Sequence, residues 1–144
     1  MPNLLIYYNT KTGNTELMAK AVEEGAKKVQ GVEVTLTFHA KPQDLQNADA
    51  IIIGVPTYNH HMSLDIQNAL QETAESGINL KDKVGAAFGS YGWSGEAPKQ
   101  VLEILRNKFQ MKTLDTPILS NYRPDEETLD KCRELGRKIA ETLT

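Results

Sequence analysis

The chain has 144 residues, 40% of them hydrophobic and 24% charged, with a formal net charge of −3. That length suits one domain, which buries roughly two thirds of its unfolded-state surface, and the mild acidity speaks against a nucleic-acid-binding face, which needs a basic patch. The only cysteine, Cys132, allows neither a disulfide framework nor a thiolate metal cluster.

The opening MPNLLIYYNT has no basic n-region, and no later run is long enough to span a membrane. The chain is therefore expected to be neither exported nor inserted: a single domain over 1–144, cytoplasmic and monomeric. Leu4 to Tyr8 is a short apolar run ending in a polar, glycine-containing turn, the pattern of a strand buried on both faces of a parallel sheet. From Thr15 to Val29 the apolar residues Leu17, Met18, Ala21, Val22, Ala26 and Val29 recur at helical spacing, and Gly31 stops them. A strand is predicted at Val32 to Phe38, and a polar connection through Pro42 leads to the most hydrophobic strand, Ala50 to Val55, closed by Pro56.

Ser63 is placed to cap a helix from Leu64 to Glu75, with Asp65 favouring its dipole. Val84 to Gly89 is the next strand. Pro98 suits the first turn of a helix whose inward face is Val101, Leu102, Leu105 and Phe109. Thr113 to Leu119 is predicted as the last strand. The final helix, Asp125 to Leu143, starts acidic and turns basic toward its end, as the helix dipole prefers. Five strand-helix alternations imply an α/β fold, a parallel sheet covered by helices on both faces. Ligands on such sheets sit beyond the carboxyl ends of the strands, which here are the loops 9–14, 57–63 and 90–96.

The first loop, Thr10-Lys11-Thr12-Gly13-Asn14-Thr15, places hydroxyls around a glycine just before a helix start. Unpaired helix amides, close backbone approach at Gly13 and the threonine hydroxyls fit a phosphate without a metal. The same residues also suit an ordinary helix cap. Neither G-x-x-x-x-G-K-S/T nor G-x-G-x-x-G occurs, so a monophosphate held by neutral donors is the better match.

This loop resembles the flavodoxin phosphate-loop pattern Ser/Thr-x-Thr-Gly-x-Thr, directly after the first strand. Gly54-Val55-Pro56-Thr57-Tyr58-Asn59 resembles the family's second flavin-contacting loop, and Phe88-Gly89-Ser90-Tyr91-Gly92-Trp93-Ser94-Gly95-Glu96-Ala97 the third. The third stretch is especially similar to the flavodoxin-like domain of flavodiiron proteins. The lack of an insertion near strand five is similar to short-chain flavodoxins. The resemblance implies a three-layer sandwich with five parallel strands in the order 2-1-3-4-5, and FMN as the cofactor. It implies FMN contacts from Thr10, Lys11, Thr12, Gly13, Asn14, Thr15, Pro56, Thr57, Tyr58, Asn59, His60, Ser90, Tyr91, Gly92, Trp93 and Gly95.

A flavin ring needs apolar walls and backbone groups along its polar edge. Trp93, set among Gly92, Ser94 and Gly95, is a poor core residue and a good wall; Tyr58 or Tyr91 supplies the second. Asn59 takes the place where flavodoxins often carry a glycine whose peptide flips on reduction. His60 and His61 lack a third ligand at metal-binding spacing and read as solvent-facing loop residues. They stand where many flavodoxins carry acidic residues.

With a flavin site and no second pocket evident in the sequence, electron transfer between soluble redox proteins, such as ferredoxin-dependent enzymes or reductases that dock transiently, is the expected function. An FMN-dependent NAD(P)H:quinone oxidoreductase is the alternative from another class. A receiver-type signalling module would need an aspartate at the end of strand three, where the chain has Gly54-Val55-Pro56-Thr57.

Overall fold

The structure, a computed structural model, describes residues 1–114 and 116–144. In chain order its elements are β1 (Asn3–Tyr8), α1 (Asn14–Lys27), β2 (Glu33–Thr37), α2 (Pro42–Asn47), β3 (Ala50–Gly54), β4 (Thr57–Tyr58), β5 (His61–Met62), α3 (Leu64–Glu75), β6 (Val84–Tyr91), α4 (Glu96–Asn107), β7 (Lys112–Thr113), β8 (Ile118–Asn121) and α5 (Glu126–Glu141). β2, β1, β3 and β6 lie side by side and parallel, and β7 and β8 both pair parallel with β6 at the edge.

Side chains of a strand alternate between faces, and the two cores follow that parity. Leu5, Tyr7, Ile51, Ile53 and Val55 pack with Ile66 and Leu70 of α3 and Val101, Leu102 and Leu105 of α4. Leu4, Ile6, Ala50 and Ile52 pack with Met18 and Val22 of α1 and Cys132, Leu135 and Ile139 of α5. The second layer is tight because α1 and α5 meet through glycines: a Cβ on Gly136 would stand 2.0 Å from the Val22 carbonyl oxygen, and one on Gly25 1.8 Å from that of Arg133.

Several predicted elements are corrected. The fifth strand is not continuous from 113 to 119 but two short pieces, β7 and β8; Asp115 lies outside the described residues, and Pro117, lacking an N–H, cannot donate to the ladder. Among the described residues the count of five strands therefore becomes eight, because a small antiparallel hairpin, β4–β5, also follows β3, with Thr57 pairing against Tyr91 of β6. Ser63 stands at the N-cap of α3, but its hydroxyl makes no capping bond and is buried without a hydrogen-bond partner. The connection through Pro42 holds a short helix, α2. β6 runs two residues longer than expected, so Ser90 and Tyr91 belong to the strand. No helix among the described residues is long and apolar enough to cross a membrane.

Candidate functional site

At the carboxyl ends of β1, β3 and β6 lies a cleft of about 470 Å³, within the range of small-ligand sites. Its floor starts at α1. Gly13, with φ 91°, is the N-cap, and no side chain caps this helix, so the first-turn amides, which have no intrahelical acceptor, face the cleft end of the loop. The left-handed backbone at position 13 favours glycine. Thr10 shapes the loop from within, its Oγ1 accepting from Gly13 N–H at 3.0 Å.

Lys11, Thr12 and Asn14 line the cleft from this side; Pro56, Thr57, Tyr58 and Asn59 line it from the hairpin; Ser90, Tyr91, Gly92 and Trp93 line it from the end of β6. Among the described residues Lys11 is the only lysine, arginine or acidic side chain in the lining, and its Nζ lies 5.5 Å from the Tyr58 ring centroid, a cation–π contact. Burial pushes the Tyr58 phenol above its ordinary pKa. Trp93 is 86% exposed, a large apolar surface left to solvent or to a ligand rather than packed in a core.

Five of the sequence-predicted residues do not line the cleft. Thr10 and Gly13 build the loop, as described. Thr15 is fully buried, with its Oγ1 2.8 Å from Ser90 Oγ and accepting from Ser90 N–H at 3.3 Å. Its hydroxyl fastens α1 to β6. Gly95 is the N-cap of α4, where a Cβ would stand 3.1 Å from the Tyr91 ring and 3.2 Å from Leu119. His60 points at α4: its Nδ1 donates to Glu96 Oε2 at 2.7 Å and lies 2.9 Å from Ser94 Oγ. The Ser94 hydroxyl and, next, the His60 imidazole hold the Glu96 carboxyl below its ordinary pKa. No group of three or more His, Cys, Asp or Glu residues that could hold a metal occurs among the described residues.

Tyr122 lines the cleft and was missed by sequence reasoning. It follows β8 with φ 58°, donates its N–H to the Tyr91 carbonyl at 2.7 Å and is 64% exposed. A fifth strand carried on to Asn121 would have brought its carboxyl end to the same edge of the sheet; ending the strand at Leu119 hid this. Thr57, although in the lining, spends its hydroxyl on α4: its Oγ1 accepts from Ala97 N–H at 2.9 Å.

The donors and walls fit a phosphorylated planar aromatic group: free amides at an uncapped helix start, one cation, and four aromatic rings around a slot. Comparison with known proteins points the same way. An archaeal flavodoxin superposes with a TM-score of 0.88 at 34% identity, covering 98% of each chain. The type A flavoprotein fprA of Rhodobacter capsulatus is 33% identical over 148 residues, covering 98% of this chain and 33% of that protein. The anaerobic nitric oxide reductase flavorubredoxin of Escherichia coli is 30% identical over 145 residues, covering 95% of this chain and 29% of that protein. The chain thus spans a third or less of these two curated relatives. The flavodoxin family model matches residues 6–136, and the chain belongs to the flavodoxin family of FMN flavoproteins.

Proposed function

We propose that the cleft holds one FMN and that the protein is a cytoplasmic electron carrier, a single flavodoxin-like domain acting as a monomer with no organic substrate of its own. The observation that carries this reading is the meeting, in one cleft, of an uncapped helix N-terminus with the Tyr58, Tyr91, Trp93 and Tyr122 rings. Bound FMN supplies the redox chemistry; the chain supplies binding, orientation and shielding. The first-turn amides of α1, Thr12 and Asn14 take the phosphate, with Lys11 as the nearby cation. Gly13 sets the backbone and Thr10 closes the loop. Thr15 acts indirectly, by fixing Ser90. The aromatic residues and Pro56 wall the ring system, and the backbone at Asn59 and Gly92 serves its polar edge, while Gly95 starts α4 behind Tyr91. Partners are soluble redox proteins that dock briefly over the mouth, where Trp93 and Tyr122 are most exposed.

The test is reconstitution of the purified protein with FMN. A stoichiometry of one, quenching of the sole tryptophan, Trp93, on binding and its recovery on release, and rapid oxidation of the reduced protein by one-electron acceptors are expected. Unchanged Trp93 emission would remove FMN from this cleft. Sustained quinone reduction by NAD(P)H with the protein alone would replace the carrier with the quinone oxidoreductase.

A further inference from the structure

The lip of the cleft holds a set of ties that flavin contacts do not account for. The β4–β5 hairpin reverses through Asn59 at φ 49° and His60 at φ 66°, between the paired residues Tyr58 and His61. Two successive left-handed residues form a type I′ turn, whose second position is normally glycine. Asn and His adopt this conformation more often than most residues that carry a Cβ, though neither has glycine's freedom. Side chains outside the turn reinforce it at His60.

The restraints come from the start of α4 and the residues just before it. The Nδ1–H of His60 donates to Glu96 Oε2 at 2.7 Å. The His60 carbonyl accepts from Gln100 Nε2 at 2.9 Å, and Gln100 Oε1 accepts from Met62 N–H at 3.1 Å, so one amide side chain grips the hairpin on both sides of its turn. Ser94 approaches the same His60 nitrogen as Glu96. A serine-histidine-carboxylate relay uses both ring nitrogens, so this cluster holds a loop and activates no nucleophile. The His60 ring also stands 5.2 Å, centroid to centroid, from Trp93 on the opposite loop.

We infer that Glu96 and Gln100 are positioning residues: through His60 they keep the Asn59–His60 turn left-handed and fix the hairpin wall and the Trp93 wall of the cleft to one helix end. The spacing of the two walls is then set by α4, and a slack turn opens the slot between Tyr58 and Trp93.

Two measurements test this, and the first needs no flavin. In the apoprotein, the HN–Hα coupling and carbon shifts of residue 60 report its φ, and the anisotropy of the sole tryptophan reports the opposite wall. Glu96→Ala is expected to take residue 60 out of the left-handed region and lower the Trp93 anisotropy. Glu96→Gln, which keeps an acceptor for Nδ1–H, retains both signals. His60→Gly keeps the left-handed turn but loses the restraint on Trp93. Wild-type coupling and anisotropy in Glu96→Ala would overturn the proposal; if that variant does not fold, Gln100→Ala is read by the same signals and the same criterion. The second measurement rests on the flavin reading: FMN should bind Glu96→Ala about tenfold more weakly and Glu96→Gln within about twofold of wild type. A slackened turn with unchanged FMN affinity would uphold the positioning role and refute the placement of FMN in this cleft.

Discussion

Thr12 and Thr15 are three positions apart across the start of α1, yet the structure gives them different work, and replacing each by alanine separates binding from stability. Thr12 is exposed in the lining of the cleft. A hydroxyl bond to a charged phosphate contributes about 1.5–3 kcal/mol, so Thr12→Ala should weaken FMN roughly 10- to 150-fold. It should leave riboflavin, which has no phosphate, nearly unaffected. Thr15 is fully buried, and its Oγ1 serves the buried Ser90 twice, at 2.8 Å and 3.3 Å. Thr15→Ala leaves a buried polar group without its partner, at a cost of about 1–3 kcal/mol out of a total stability on the order of 5–15 kcal/mol. Its first effect should be a lower urea midpoint for the apoprotein, and any loss of binding should fall on FMN and riboflavin alike through displacement of Ser90. Fluorescence titration with both ligands, alongside urea unfolding, gives the FMN affinity, the riboflavin affinity and the stability of each variant. A Thr15→Ala protein with an unchanged urea midpoint and a selective loss of FMN would show that Thr15 itself reaches the phosphate and that its bond to Ser90 matters little. Equal loss of both ligands in Thr12→Ala would remove the phosphate from this loop.

Gly136→Ala forces a Cβ to within 2.0 Å of the Val22 carbonyl oxygen; the helices must separate, and a loss of about 1–3 kcal/mol is expected by urea denaturation, with an unchanged midpoint refuting the close packing of α1 on α5. Burial pushes the Cys132 thiol up to about 12, so a thiol reagent should modify it only at the rate of unfolding; stoichiometric labelling of the native protein within seconds would contradict its place in the core. The Glu96 carboxyl is depressed by the Ser94 hydroxyl and then by His60. Its contribution is therefore present above the ordinary carboxylate pKa and is lost as pH falls through the lower folded value. Trp93 anisotropy should hold through the ordinary carboxylate range and fall only below it, and Glu96→Gln should lack that step; a step at the same pH in both proteins would assign it elsewhere.

Much of this was readable from residue order. The run Ala50 to Ile53 is fully buried, as a β-branched strand between two helical layers must be, and the parity of Leu4, Leu5, Ile6 and Tyr7 sorts them into opposite cores. The glycine-flanked Trp93 stood out as poor core material, and it lies in the cleft lining. What stayed hidden depends on geometry that local pattern does not encode. Whether Thr15 faces the cleft or the sheet depends on how α1 is rotated against β6. The hairpin turn reads Asn-His rather than Asn-Gly, so its usual signal was missing, and its conformation relies on Glu96 and Gln100, some forty positions on in sequence. Tyr122 reaches the site only because β8 continues to Asn121 beside the end of β6.

The bond from Ala97 N–H to the Thr57 hydroxyl gives the protein a built-in clock. A helix whose first-turn amide is satisfied by a distant loop can exchange that hydrogen with solvent only when the loop lifts away. The Ala97 amide therefore times how often the hairpin side of the cleft opens, while neighbouring amides inside α4 time the fraying of the helix itself. Comparing the two separates the breathing of the cleft from the unfolding of its support, in a chain with no added label.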